Sequence, residues 1–395
     1  MSEQVDILIV GAGLVGASLA CALQGRDYRV ALVEAAAPAA GPPGFDERKL
    51  ALSAASLNAL AALGVLPKLA TLPTPIRRLH VSRAGDFGAV RLAAADFGRE
   101  GFGGVVLARE LGLALEARLA ELTALERHRP ATVTALTPAA DAITVTLREG
   151  EQPRTIRTRL LVAADGTRSF SRQALGIGTI EHDYAQTLFV CSLATDRDND
   201  GTAYERFTDQ GPVALLPMGR DFGAICAVAR DDAARVQALD DDGFATHFQQ
   251  RFGWRAGRIR RVGKRSAYPL ARVLAERLSA PRALIMGNAA QTIHPIGAQG
   301  FNLGLRDALS LAELLDGGDP GADAALSAYV DARREDRERT LAFSDGLARI
   351  TANDSFPMHV LRSLGLLAIG NAPGLSAPVV SGAMGFRGRV PRLAR

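Results

Sequence analysis

The sequence predicts an α/β fold: a nucleotide-binding unit, a second unit built on a mixed sheet, and a C-terminal helical region. Three observations predict it. Residues 5–10 form an apolar run that passes directly into Gly11-Ala12-Gly13-Leu14-Val15-Gly16 and then a helical segment. Residues 159–164 form a second apolar run, ending in Asp165-Gly166. Residues 283–286 form a third, followed by a Gly-rich stretch from Gly287 to Asp307.

The first loop has its full context. Residues 5–10 read as a strand buried on both faces, the helix runs to about Gly25, residues 29–33 form a second strand, and Glu34 ends it. Gly11 permits the tight turn, Gly13 lets the backbone approach a pyrophosphate with no Cβ between them, and Gly16 lets the helix sit close on the strand. The helix start then faces the phosphates. Glu34 lies 18 residues beyond Gly16 and can accept hydrogen bonds from ribose hydroxyls. Its charge would repel a 2′-phosphate, so the site suits FAD or NAD better than NADP.

The other two elements are weaker alone. Asp165-Gly166 by itself reads as a turn, with a helix starting near Ser169. The third strand leads into a loop containing His294-Pro295, then a helical pattern at Leu303, Ala308, Leu311, Leu314 and Leu315. A helix start offers free N–H groups and partial positive charge to an anionic ligand. One cofactor held at two distant points of the chain accounts for both nucleotide-type loops.

Composition narrows the function classes. The 395 residues suffice for two packed units, and 48% apolar with 22% charged residues is ordinary for a folded protein. A net charge of +4, no basic block in mid-chain and 5% aromatics argue against nucleic-acid binding. Cys21, Cys191 and Cys226 are scattered and odd in number, which predicts buried thiols in a reducing, cytoplasmic compartment. They and the six histidines show no metal-ligand spacing, so no metal is expected. The acidic N-terminus enters a strand at once, which argues against a signal peptide, and no run of 18 apolar residues predicts a membrane span.

Taken in order, the Gly11-to-Gly16 loop, Asp165-Gly166 and Gly287-Asn288 resemble the flavoprotein aromatic hydroxylases of the para-hydroxybenzoate hydroxylase type, over residues 1–345. Within that family the likeness is to the ubiquinone-biosynthesis hydroxylases. Asn288, Gln291-Thr292-Ile293-His294-Pro295 and the later Ala352-Asn353-Asp354 are similar to the subfamily acting on 2-polyprenyl-6-methoxyphenol. The resemblance implies a Rossmann-type FAD-binding domain, a mixed-sheet substrate domain, and hydroxylation of a polyprenylated phenol. It implies FAD as cofactor, O2 as cosubstrate, and NAD(P)H or a protein as electron donor. The broader family has Gly-Asp where this chain has Gly287-Asn288; Asn keeps a carbonyl acceptor and loses the charge, which marks a subtype.

Carried over by position, Gly11, Gly13, Gly16 and Glu34 would hold the ADP half of FAD. Arg48 would reach the cofactor near its pyrophosphate or flavin, and Arg109 would contact it too. Asp165 belongs to a marker proposed to serve both FAD and the electron donor. Asn288 would hold the ribityl chain. Gly300, Phe301 and Asn302 would present N–H groups to the flavin pyrimidine edge, and Pro295 would border the phenol. His294 is the titratable group of that loop and the candidate base for the phenol proton, although a His beside Pro is more often a structural hydrogen-bonder. The plain alternative for Arg48, Arg109, Arg168 and Arg172 is a solvated surface side chain.

The expected FAD unit comprises residues 1–75, 100–175 and 280–345, and the substrate unit 76–99 and 176–279. Strand-like alternation at 76–82, 213–217 and 222–228 suggests a sheet over the flavin, with Leu215, Leu216, Pro217 and Met218 as its water-excluding lining. A helix is expected over 241–252. Residues 346–395 form an apolar tail broken by Gly365, Gly370, Pro373 and Pro378, ending in four arginines and no acid. That tail suits packing on the FAD unit, a subunit interface within a quinone-biosynthesis complex, or a peripheral contact with the inner membrane. An isoprenoid reductase and a non-catalytic flavin-binding subunit share the same markers. The lone Trp254 and lack of a Trp-x-Trp motif argue against a halogenase.

Overall fold

The computed structural model describes residues 3–37, 48–352 and 355–395. The chain begins with β1 (Glu3–Val10), α1 (Leu14–Ala22), β2 (Val30–Val33), β3 (Lys49–Ser53) and α2 (Ala54–Ala62). Next come β4 (Thr74–Pro75), β5 (Arg78–Arg83), β6 (Ala89–Ala93), β7 (Gly103–Leu107) and α3 (Ala108–Leu119). Then follow β8 (Glu126–His128), β9 (Thr132–Pro138), β10 (Ile143–Glu149), β11 (Gln152–Ala163) and α4 (Phe170–Ala174). The middle supplies β12 (Thr179–Thr195), β13 (Thr202–Thr208), β14 (Gly211–Met218), β15 (Asp221–Ala229), α5 (Arg230–Gln237) and α6 (Asp241–Phe252). It continues with β16 (Ile259–Val262), β17 (Ser266–Ala275), β18 (Ser279–Ala280), β19 (Ala283–Ile285) and β20 (Gln291–Thr292). The helices α7 (Gln299–Leu314), α8 (Asp323–Ala352), α9 (Phe356–Asn371) and α10 (Pro373–Ala383) close it.

Three sheets result. In the first, β1 lies between β11 and β2, parallel to both, with Ile7 opposite Leu160 and Val30, and β19 extends it beyond β11. Helices α1, α3 and α7 cover one face, burying Ile7, Leu19, Leu111, Leu305 and Leu309 together. Leu8, Val10, Leu161 and Ile285 fill the other face with β9 and β10. Burial on both sides is why these strands read as unbroken apolar runs. The second sheet has the order β20-β17-β12-β15-β14-β13-β5-β6, with β16 paired to β12. The third is a small antiparallel sheet, β3-β7-β4.

The expected strands over 76–82, 213–217 and 222–228 are β5, β14 and β15, and the expected helix over 241–252 is α6. Three details differ. The expected start of the tail at residue 346 falls within α8, which runs unbroken through that position. Gly365 and Gly370 sit inside α9 rather than interrupting it, and the chain turns only at Ala372. A single Gly weakens a helix by ~1 kcal/mol, which tertiary packing overrides. Finally, residues 215–218 cannot all line one face, because strand side chains alternate. Leu216 faces the FAD unit with Ala203 and Ile76, whereas Leu215 packs in the opposite core with Phe189, Phe222 and Phe248.

Candidate cofactor site

The first Gly-rich turn is sterically closed where the fold needs it and open where a ligand would lie. A Cβ on Gly16 would stand 2.0 Å from the Gly11 carbonyl oxygen, and one on Gly11 would stand 2.6 Å from that of Ala164. Gly11 also has φ +100°, which disfavours other residues. Nothing lies within 4 Å of a Cβ built on Gly13. Beside this turn the Glu34 carboxylate accepts from the Ala12 N–H at 2.8 Å and the Ala36 N–H at 2.8 Å. Both oxygens are thereby fixed, and each keeps a lone pair for a ribose hydroxyl.

The second and third markers close on the same place. Gly287 (φ +59°) approaches Val15 so tightly that a Cβ would lie 3.1 Å from it, and one on Gly304 would lie 2.7 Å from Val15 Cγ2. The starts of α1 and α7 therefore meet the 287–288 turn across Val15, with Asn288 exposed at that seam. Arg172 is buried rather than solvated, and its Nη1 donates to the Ala289 carbonyl at 2.9 Å, fixing the turn. Asp165 accepts from the Ser171 N–H at 2.9 Å and from Ser169 Oγ, and so supports the N-cap of α4, Ser169, whose Oγ accepts from the Arg172 N–H at 2.9 Å. Thr167 and Thr292 join the two markers through their hydroxyls at 2.8 Å.

At the start of α7, Ala298 takes a left-handed conformation (φ 51°) and the helix begins at Gln299, then Gly300, Phe301 and Asn302. The first N–H groups of a helix have no intrahelical acceptor, so this turn offers donors to a ligand. The Asn302 side chain is committed elsewhere: Oδ1 accepts from the Ser53 N–H at 3.0 Å and Ser56 Oγ at 2.7 Å, and Nδ2 donates to the Ala51 carbonyl at 3.0 Å. It pins the helix start to β3. The Arg48 carbonyl accepts from the Ala108 N–H at 2.9 Å, which brings exposed Arg48 and half-buried Arg109 to one corner.

This cradle fits a dinucleotide, and residues 4–344 match a family model described as FAD binding domain. The chain belongs to this FAD-binding family. It is a flavoprotein monooxygenase that uses FAD, and NAD(P)H and O2 are typical of the family. Ubiquinone hydroxylase UbiL of Rhodospirillum rubrum is 36% identical over 92% of this chain and 86% of its own length. The 3-demethoxyubiquinol 3-hydroxylase of Escherichia coli is 30% identical over 98% of this chain and all of its own. Among solved structures, p-nitrophenol 4-monooxygenase PnpA of Pseudomonas putida superposes with a TM-score of 0.80 at 17% identity, covering 98% of this chain and 99% of its own, and so shares the fold.

Just before α7, the loop following β20 is tightly held. His294 is 2% exposed, its Nδ1 accepts from the Ile296 N–H at 3.3 Å, and its ring meets Tyr184 edge-on at 4.7 Å. Burial lowers its pKa to about 4, so the imidazole is neutral with its proton on Nε2. Half-buried Pro295 follows. Ser344 Oγ donates to the His294 carbonyl at 3.3 Å, and Tyr184 donates to Asp345 at 3.2 Å, so α8 braces this loop. The unfolded chain takes up the His294 proton near 6.5 and the folded one only near 4. Stability is therefore expected to rise with pH across that window, by on the order of 2–3 kcal/mol, and His294→Asn to lack this slope. Melting temperature measured against pH checks it.

The second sheet covers this space. Gly223 on β15 lies so close to Lys49 that a Cβ would stand 2.4 Å from its Cγ, which buries the Lys49 stem at the seam. Farther along the same face, Leu188 and Ala227 pack with Tyr184. Sequence reasoning missed Lys49 and Tyr184, because nothing in their local pattern distinguishes a seam position from an ordinary strand residue.

Proposed function

We propose that this monooxygenase hydroxylates the aromatic ring of a polyprenylated phenol in ubiquinone biosynthesis, with NAD(P)H or a protein as electron donor. The observation that carries the reading is the likeness to ubiquinone hydroxylase UbiL over 92% of the chain. FAD, when bound and reduced, supplies the oxygen donor formed from O2. The residues hold and shield it. Gly11, Gly13, Gly16 and Glu34 bind the ADP half; Arg48, Arg109 and Asp165 line the approach to it; Asn288 meets the ribityl chain; and Gly300, Phe301 and Asn302 direct the helix start at the ring. That helix start favours negative charge by roughly 0.3–2 kcal/mol. The sheet excludes water with Ala214, Leu216 and Ile225. Pro295 borders the substrate. His294, with Nδ1 engaged and little basicity, holds the loop in shape, and His294→Ala lowers hydroxylation more than flavin reduction.

The substrate proposed is 2-polyprenyl-6-methoxyphenol. Complementation of strains lacking each quinone-pathway hydroxylase, with identification of the intermediate consumed, tests it; consumption of none removes the pathway assignment.

The tail supports a peripheral membrane contact. Among the described residues no single helix is long and apolar enough to cross a membrane. Instead α9 turns much of its apolar surface outward, while Leu366 and Ile369 pack inward. Phe356, Val360, Leu361, Leu364 and Leu367 face solvent, whereas Arg362 and Ser363 are buried. Arg362 and His359 both bond Asp86 in the β5–β6 turn; burial alone would raise the Asp86 carboxyl, but these bonds hold it below the usual range. Leu375 and Val379 on α10 add to the exposed apolar surface. Residues 355–395 contain five arginines and no acid, which suits an anionic bilayer. Leu361→Asp with Leu364→Asp is expected to weaken sedimentation with phosphatidylglycerol vesicles by at least about 10-fold, since each buried Leu contributes ~1.5–3 kcal/mol. Unchanged vesicle binding, or loss of a dimer in light scattering instead, overturns the bilayer as occupant.

A further inference from the structure

The register of the covering sheet places one carboxylate on its inner face, among Leu79, Val81, Ala214 and Ile225. Along β13, Tyr204 packs on Phe252 of α6 and Arg206 donates to the Arg251 carbonyl, so both point away from the FAD unit. Ala203, Glu205 and Phe207 take the opposite face. Glu205 stands between Val81 on β5 and Ala214 on β14; Ala214 is paired with Ile225 on β15, and Ile225 with Val190 on β12. This row lies between the Gly223–Lys49 seam and the Leu188–Tyr184 contact that leads to His294. Two strand spacings, ~10 Å, separate Glu205 from Ile225.

Glu205 makes no side-chain hydrogen bond or ion pair with a described residue. Although it lies deep in the molecule, it remains partly exposed, as do Leu79, Val81 and Ile225 on the same face. A row that stays part-open on a covered face borders an internal space. The charged groups on neighbouring elements are engaged elsewhere. Arg83 on β5 and Arg362 and His359 on α9 gather at Asp86, and Asp345 on α8 holds Tyr184 and Arg272. Lys49 lies against Gly223. None of them shifts Glu205, whose pKa is raised to about 7 by burial alone. An unpartnered carboxylate in an apolar wall is unfavourable unless a ligand hydroxyl meets it.

We infer that Glu205 receives the ring-hydroxyl proton of the phenol substrate, an assignment that rests on the hydroxylase reading above. The phenol O–H bond breaks, the carboxylate becomes a carboxylic acid, and the electron pair stays on the phenol oxygen. The ring becomes more electron-rich at the moment it accepts oxygen, and the proton leaves to solvent with the product.

The test assays the FAD-loaded full chain and its Glu205→Gln and Glu205→Asp variants on a geranylated phenol and on the same phenol without the prenyl group. Hydroxylation by Glu205→Gln is expected to fall on the order of 10²-fold in kcat, with flavin content and flavin reduction unchanged. The wild type shows a rising pH limb with a midpoint near 7; Glu205→Gln loses it, and Glu205→Asp recovers part of the rate with the limb displaced. Wild-type kcat and an intact limb in Glu205→Gln overturn the assignment, as does a loss confined to KM. Should Glu205→Gln lose its flavin, an undisplaced limb in Glu205→Asp overturns it. A wild type that hydroxylates neither phenol overturns the hydroxylase reading itself, and this inference with it.

Discussion

Gly16→Ala is expected to purify without flavin and to melt below the parent protein. Its new methyl would stand 2.0 Å from the Gly11 carbonyl oxygen, a backbone atom with no freedom to withdraw. Helix α1 must then move off β1, carrying with it the N–H groups proposed to face the phosphates. Overpacking of this kind destabilises by ~1–3 kcal/mol or more, and displaced donors remove most of the phosphate binding. Gly13→Ala separates the two effects. A Cβ there meets nothing within 4 Å, so the apoprotein should melt like the parent, while the methyl occupies the space proposed for a pyrophosphate. Visible flavin absorbance and apoprotein melting, measured on both variants, decide the matter. Normal flavin content in Gly13→Ala would mean the phosphates lie elsewhere.

Arg333→Met should cost the fold about 3–5 kcal/mol, the usual penalty for removing one partner of a buried ion pair. Arg333 is 1% exposed; its Nε donates to Asp307 at 2.6 Å and its Nη2 to Asp336 at 2.6 Å. Arg306 also donates to Asp336 at 2.7 Å, and Gln291 to Asp307 at 2.8 Å. Burial opposes the charge on Asp336, yet Arg306 and Arg333 hold its carboxyl below the usual range. With Arg333 gone, Asp307 loses its guanidinium partner in the core between α7 and α8. Denaturant titration measures the change, and a loss below ~1 kcal/mol would show that the network is energetically idle. Asp307 closes the Gly-rich run that follows β19, but its side chain fastens two helices instead of facing the cofactor.

Much of this architecture was legible because its signals are steric. Doubly buried parallel strands leave continuous apolar runs, and Gly11, Gly16 and Gly287 stand where a Cβ would strike backbone or the Val15 side chain. Those signals survive without knowledge of distant partners. What was not legible depends on partners far along the chain. Asp307 gives no hint in sequence that Arg333 awaits it. Arg362 reads as a solvent-facing residue until Asp86 is seen beneath it. Glu205, alternating with Tyr204 and Arg206, looks like the polar side of a strand, whereas both faces of β13 are covered. Gly370 reads as a helix break, yet it lets α9 approach β6 closely, with its Cβ position 3.2 Å from the Ala89 carbonyl oxygen.

The pairing of β1 with β11 and of β5 with β13 sets a condition on biosynthesis. Glu3 waits for Ile156, and Arg78 for Thr202, before β1 and β5 gain the second of their two neighbours. The first sheet also needs β19, and the turn at Val15 needs Gly304. A nascent chain therefore leaves the ribosome with unpaired apolar strand edges until nearly three quarters of it has emerged. Such edges invite aggregation, and pairings this distant in sequence form slowly. Early flavin capture cannot shorten that interval if the proposed site is right, since its two helix starts, at Leu14 and Gln299, are translated nearly 300 residues apart.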